Sequence, residues 1–524
     1  MPSSLIRGKY LISPTGTGDT TVLSDVAIYQ KDGVITEVGP WQDLRSRHQP
    51  DEELGGPDFA IIPGLVNSHH HGRGVTTLQM GTCDDCLELW ILDGWGRRPY
   101  DHYLMTLYTA LIMLESGTTT VMYNHPQTAT ATLKEDVDAV LRGFLDAGMR
   151  VAFSSYFRNQ NRVVYAADQE FLSGLPADLA EGINRHLAAT DMTDDEYFAF
   201  FEETYRQYNG QASGQGSDQL SDKVRVLLSP SNVQWNTDEF LQRTRETALR
   251  YNTPIHMHLV ESNYQKAFGM RTWGKTPVEH LQDLEFLGPG LSCAHAVWLT
   301  ERDIDLLAGA GATVCHNASS NLRLKNGIAP VNPMLARGLN VAMGTDSTAI
   351  NDDDDLLQEM RLVSKLHRQP GIGAPAITSG QVLAMATANA ASPTGFTGEI
   401  GVLEAGRRAD MLLVRLSDLE DPYLDADLPP LEVVLGRARA HDVASVIVNG
   451  EVLTRDGVHQ RVNKDEVRRE LREQLSRPLE QQTMETRSMA ARLRPYAESF
   501  YRSWADDSGG PPTGIPHYVY NSRT

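Results

Sequence analysis

The stretch LVNSHHH, residues 65–71, decides the fold. It is a short run of strand formers that ends in three histidines, just after the turn-forming pair Pro63-Gly64. Alternate side chains of a strand share a face, so Leu65, Asn67, His69 and His71 point one way and His70 the other. Seven further runs have strand character: TTTVMYNH (118–125), MRVAFSSY (149–156), KVRVLLS (223–229), TPIHMHLV (253–260), LSCAH (291–295), ATVCH (312–316) and LNVAMGTD (339–346). Helical stretches separate most of them, such as LKEDVDAVLRGFLDAG (133–148) and TDEFLQRTRETALRYN (237–252). Eight alternating strand and helix units predict an α/β chain folded as a TIM (β/α)8 barrel over residues 63–399. The interval 157–222 is long for a connection and reads as an insertion, with a helix from Asp195 to Tyr208 and a mobile loop at GQASGQGSDQ (210–219).

Outside the barrel, residues 1–62 and 400–462 are rich in short alternating strands stopped by Gly, Pro or Asp. The two pieces predict one small β-sandwich domain built from both chain ends. Residues 463–524 read as a charged helical tail that closes in a turn-rich end.

The chain has 524 residues, 41% of them hydrophobic, and a formal net charge of −21. That excess of acid excludes the basic footprint of a nucleic-acid or anionic-membrane binder. No apolar run approaches the roughly 20 residues of a membrane helix, and MPSSLIRGKYLISPTG lacks a signal-peptide core. Four cysteines do not make a disulfide framework, and Cys83 and Cys86 read as ordinary thiols. The expectation is a cytoplasmic protein with a small-molecule substrate. Asp352 to Asp355 read as acidic charge at a helix N-terminus.

The candidate chemistry sits where barrel strands end, at the face on which such folds build their sites. His69 and His71 end the first strand, and two inward imidazoles at that spacing can hold one divalent metal. His258 ends the fifth strand and is the better ligand of the pair His256/His258; His256 supports a neighbour or packs. Glu261 follows three residues on, well placed to move protons. His295 ends the sixth strand. Asp346 ends the eighth, where an aspartate can ligate a metal and take a proton from water. Arg73, Gln79, Trp90, Gln234, Trp235 and Asn321 are candidates for lining a substrate pocket. His125 ends the second strand, within reach of the rim, and a structural role is the expectation for it.

These motifs resemble the amidohydrolase superfamily, in the branch of triazine hydrolases and of guanine and adenosine-type deaminases. PGLVNSHHH (63–71), HMHLVES (256–262), HNASSNLRLKNGIAPV (316–331) and GTDSTAINDDDDLLQEMRL (344–362) carry the resemblance, as does LAMATANAASPTGFTGEIGVLEAGRRADMLLV (383–414). The resemblance implies a single metal on His69, His71, His258 and Asp346, with zinc the usual ion and iron the alternative. It implies that His295 hydrogen-bonds the reacting water and that Glu261 protonates the substrate. It also implies a homo-oligomer, dimer or tetramer. Relatives with two metals bridge them with a lysine ending strand four. Here that strand ends Leu227-Leu228-Ser229-Pro230-Ser231, and Lys223 lies at its other end. The activity implied is a metal-dependent aminohydrolase or deaminase that opens a C–N bond of a small N-heterocycle. A cyclic amidohydrolase, or a triazine-type hydrolase displacing chloride or an amine, is the alternative. A scaffold of the same fold without catalysis would be expected to lose metal ligands first, and all are present. Many deaminases of the branch carry Pro-His after strand four; this chain has Pro230-Ser231.

Overall fold

The structure is a computed structural model that describes residues 3–15, 19–209 and 223–505. The loop expected at 210–219 and the turn-rich end from 506 onward lie outside the described residues.

Eight strands form one parallel sheet: β1 (Leu65–His70), β2 (Thr118–His125), β3 (Arg150–Phe157), β4 (Val224–Pro230), β5 (Ile255–Leu259), β6 (Leu291–His295), β7 (Thr313–His316) and β8 (Asn340–Met343). Each pairs with the next in chain order, because right-handed crossovers return every strand beside its predecessor. The expected TIM barrel is therefore present, and its closing seam runs between β1 and the residues just past β8. Asp346 N–H donates to His69 O at 3.0 Å, and His71 N–H donates to Asp346 O at 2.6 Å. The chains approach closely here: a Cβ on Gly344 would lie 2.5 Å from Asn317 Oδ1 and 2.9 Å from His69 N. The eighth strand is shorter than the expected 339–346, because after Met343 the backbone leaves the ladder and turns, with Asp346 at φ 65°.

The second sheet has nine strands taken from both chain ends. Its two halves join where Phe59–Pro63 pairs antiparallel with Met411–Arg415. One residue, Gly64, separates Phe59–Pro63 from β1, so the sheet feeds straight into the histidine strand. Its inner face buries Ile6, Leu11, Ile28, Ile61, Met411 and Ile447.

The insertion after β3 and the tail meet each other. Helix Asp194–Tyr208 matches the expected one and starts with a capping box at Thr193 and Glu196. Helix Gln481–Ala505 buries Leu493, Ala497, Tyr501 and Trp504 against Tyr165, Leu172, Leu179 and Ile183 of the insertion, together with Trp235 and Phe268. This second apolar core stands beside the open end of the barrel. Among the described residues, no helix is long and apolar enough to cross a membrane.

Candidate metal centre and active site

Four strand ends converge on one buried cluster. His69 Nε2 lies 3.2 Å and His71 Nε2 3.4 Å from Asp346 Oδ1. His71 Nε2 lies 3.1 Å from His258 Nε2, and His295 Nε2 lies 4.0 Å from Asp346 Oδ2. His69, His258, His295 and Asp346 are buried. The ligand atoms of His69, His71 and His258, and those of His69, His295 and Asp346, each fall within 4.8 Å of one another.

Hydrogen bonds on the far side of each ring decide which nitrogen is bare. His71 Nδ1 faces the Asn124 carbonyl at 2.7 Å and His258 Nδ1 the Ser231 carbonyl at 2.9 Å. A carbonyl only accepts, so both Nδ1 atoms carry the proton and both Nε2 atoms are lone pairs. The third ring is set through a relay. Ser292 Oγ donates to the Ile255 carbonyl at 3.2 Å, so it accepts from His256 Nδ1 at 2.8 Å. That leaves His256 Nε2 as the acceptor for His69 Nδ1 at 2.7 Å. His69 Nε2 then points inward, buried and without a hydrogen-bond partner. Three bare nitrogens and a carboxylate within a few ångströms repel one another unless a cation lies among them. Such a neutral-imidazole and carboxylate set fits one divalent metal, and suits zinc and ferrous iron alike.

The electrostatics agree with that protonation pattern. Burial pushes His69 and His258 well below the ordinary imidazole range and His71 to about 4, so all three stay neutral. Burial works to raise Asp346, yet positive charge at the imidazole sites of His69, His295 and His71 holds it well below the usual carboxylate range. Ser320 Oγ donates to its Oδ2 at 2.6 Å.

Glu261 stands beside the cluster but outside it. It lies past β5, buried, with Oε1 3.7 Å from His295 Nδ1 and accepting from Asn326 Nδ2 at 2.8 Å. Burial, then the charges of Asp346 and Glu88, raise its pKa well above the carboxylate norm. His295 Nδ1 meets Asn321 Oδ1 at 2.8 Å. His295 and Asp346 have φ of 72° and 65°, and Arg73 has 67°. Side chains rarely adopt this region, and strain of about 1–3 kcal/mol per residue gathers where function holds it in place.

Above the cluster opens a pocket of about 540 Å³, part of it facing solvent, floored by His71, His258, His295, Glu261 and Asp346. Arg73, Trp90 and Trp235 line it, as do Tyr156 and Arg158, which sequence reasoning missed. Gln79 is exposed, with its side chain accepting from Thr76 N–H at 2.7 Å, and does not line the pocket. Gln234 is buried behind it, and Asn321 holds His295 instead of facing the opening. His125 is buried with its Nδ1 3.3 Å from Tyr123 Oη. Lys223 donates to the Gly148 carbonyl at 3.2 Å, next to the start of β4.

Other contributors were missed as well. His70 turns away from the cluster and its Nε2 meets Asp354 Oδ1 at 3.0 Å. Asp354 also accepts from Thr345 Oγ1 and Thr348 Oγ1, and so pins the barrel seam from outside. Of the acidic run, Asp355 does cap a helix, accepting from Leu357 and Gln358 N–H, while Asp354 is buried. Ser231 and Asn124 act through backbone carbonyls, which carry no residue signal at all.

Residues 60–453 match the model of the amidohydrolase family. A 5'-deoxyadenosine deaminase of Methanosarcina barkeri is 30% identical over 466 residues, 87% of this chain and 94% of its own length. A 5-methylthioadenosine/S-adenosylhomocysteine deaminase of Pyrococcus furiosus is 31% identical over 456 residues, 86% of this chain and 94% of its own. Among solved structures, an adenosine deaminase from Xanthomonas campestris with bound zinc superposes with a TM-score of 0.72 at 26% identity, covering 90% of this chain and 97% of that one. An atrazine chlorohydrolase from Arthrobacter aurescens TC1 has the same fold, with a TM-score of 0.72 at 23% identity over 90% of this chain and 100% of its own.

Proposed function

The chain belongs to the amidohydrolase family of C–N bond hydrolases, and from that premise we propose that it is a zinc-dependent aminohydrolase releasing ammonia from a small N-heterocycle. It is a metal-dependent hydrolase with a deaminase-type reaction on a small heterocycle. The proposal assigns His69, His71, His258 and Asp346 to the metal. When bound, a divalent metal lowers the pKa of water from 15.7 to about 7 and so supplies the nucleophile at neutral pH.

The residues do the rest. Asp346 is ionised and takes the proton of the attacking water. His295, with Nδ1 turned to Asn321, presents Nε2 toward the same water and orients it. Glu261 is the observation that carries the reading: a buried carboxyl beside the donors, not among them, whose proton burial and the charge of Asp346 hold more tightly than an ordinary carboxyl holds its own. It delivers that proton to the ring nitrogen or the departing amine. Zinc deaminases of another fold divide the labour in the same way, with a glutamate that is not a ligand. The likeness to named deaminases supports ammonia as the leaving group.

Metal analysis should find about one divalent ion per chain. Glu261→Gln should keep that ion and lose on the order of 10²–10⁴ in ammonia release from amino-substituted heterocycles. Asp346→Asn should lose both ion and turnover. A metal-free chain whose Asp346→Asn variant turns over normally would sink the proposal. Parallel assays with cyclic amides and halo-triazines decide between this reading and its alternative. A homo-oligomer is part of the same proposal, and light scattering that gives a monomer at micromolar concentration removes it.

A further inference from the structure

The pocket carries positive charge that the reaction does not use. Arg158 lines it with its guanidinium carbon 4.3 Å from the Trp235 ring centre and 5.3 Å from that of Tyr156. The only hydrogen bond of that guanidinium to a described residue is to Tyr156 Oη at 3.4 Å. Tyr156 in turn stands edge-on to the rings of His71 and His258, with centroids 5.9 and 6.2 Å apart. Arg158 is therefore one aromatic ring out from the proposed ligands. Arg73 lines the same pocket two residues past His71, and no described residue gives it an ion pair or hydrogen bond. Behind the pocket wall, Arg97 lies 4.6 Å over Trp90 with Nε and Nη2 buried and unpartnered.

The carboxylates of this rim are taken by other cations. Asp84 and Asp352 bind Arg323. Asp85 binds Lys325 and Arg494, and Asp93 binds Arg494. Inside, Asp346 belongs to the metal cluster, and Glu261 accepts from Asn326 Nδ2 and faces His295. Among the described residues, no carboxylate forms an ion pair with either of the two pocket guanidinium groups. A planar guanidinium matches a carboxylate geometrically and electrostatically, and Arg158 is held in place against two aromatic rings.

We propose that the substrate carries a carboxylate, and that Arg73 and Arg158 hold it about one ring-width from the reacting carbon. This rests on the hydrolase reading above and narrows its substrate to a small anionic N-heterocycle. The flat ring then lies beside Trp90 and Trp235, with the reacting carbon over the metal cluster.

Calorimetric titration of the metal-loaded enzyme tests the binding step without turnover. Three matched pairs serve as probes: nicotinate and nicotinamide, benzoate and benzamide, pyrazinecarboxylate and pyrazinamide. At least one carboxylate should bind about tenfold or more tightly than its amide, with an advantage that shrinks as salt rises. Arg158→Gln and Arg73→Gln should each remove most of that advantage, and Arg158→Lys should keep part of it. Arg243→Gln, a change at a part-exposed residue that pairs with Asp195 and does not line the pocket, should leave it intact. No carboxylate binding more tightly than its amide overturns the proposal, as does an advantage that survives both glutamine variants. Inorganic phosphate binding more tightly than every carboxylate would also overturn it, in favour of a phosphorylated substrate. Turnover of neutral and carboxylated aminopyrimidines is read separately. Carboxylate binding through the arginines, with ammonia released from none of them, would fail the hydrolase reading while leaving the anion subsite standing.

Discussion

At the residue scale, the donor cluster depends on atoms that never touch the metal. His256 stands between His69 and Ser292 and thereby fixes which nitrogen of His69 is bare. Ser292→Ala should weaken zinc binding about tenfold and His256→Ala up to about a hundredfold, measured by competition with a zinc chelator; unchanged affinity in both would refute the relay. The HxH spacing made His256 legible as a neighbour of the ligands but not its target, which lies on another strand. A second residue-scale effect concerns pH. Burial lifts Glu359 to about 7, with Ser319 N–H and Asn351 Nδ2 donating to it at 2.9 and 3.1 Å. Its folded pKa exceeds its unfolded value, so its protonated form stabilises the fold fully only below the unfolded pKa. That contribution is lost as pH rises through about 7. The wild type should therefore lose on the order of 3 kcal/mol relative to Glu359→Gln between pH 4 and 8 in denaturant titrations. Parallel pH curves for the two proteins would contradict this.

At the element scale, the strands that deliver histidines were readable because each carries its own signal, an apolar run that stops at a polar end. The insertion and the tail were readable only as helices. Helix Gln481–Ala505 has an apolar stripe, but nothing in that stripe says it meets the insertion some three hundred residues earlier. The structure joins them in one core beside the active site, where Tyr165 N–H donates to Tyr501 Oη at 3.2 Å. Tyr165 Oη also donates to Glu88, which accepts from Ser262, the residue after Glu261. The tail thus supports the wall from which Glu261 projects. Leu493 is fully buried in this core, so Leu493→Ala should cost about 2–5 kcal/mol in urea unfolding. A cost within error of zero would show that the tail packs loosely.

At the scale of the whole molecule, a buried ion pair joins the barrel to the nine-stranded sheet beside the apolar core they share. Arg150, at the start of β3, donates through Nη2 to Asp410 Oδ2 at 3.1 Å and through Nε at 3.2 Å, while Asn449 N–H donates to Asp410 Oδ1 at 2.6 Å. Asp410 immediately precedes the strand that pairs with Phe59–Pro63, so the pair fixes the sheet that feeds β1. Asp410→Ala leaves a guanidinium buried without its carboxylate and should cost about 3–5 kcal/mol by thermal or denaturant unfolding. An unaffected midpoint would show that the two sheets are held by apolar contact alone. The sequence by itself determined the barrel, the composite sheet and the strand ends that carry His69, His71, His258, His295 and Asp346. It could do so because strand period and turn chemistry are local, and because barrel strands align their ends by geometry. Only the tertiary structure decided which nitrogen of each ring is bare, which aromatic and arginine residues face the pocket, and what the insertion and tail pack against. Those outcomes rest on backbone carbonyls, on rotamers and on partners hundreds of residues apart, and none of these leaves a periodic trace in the chain.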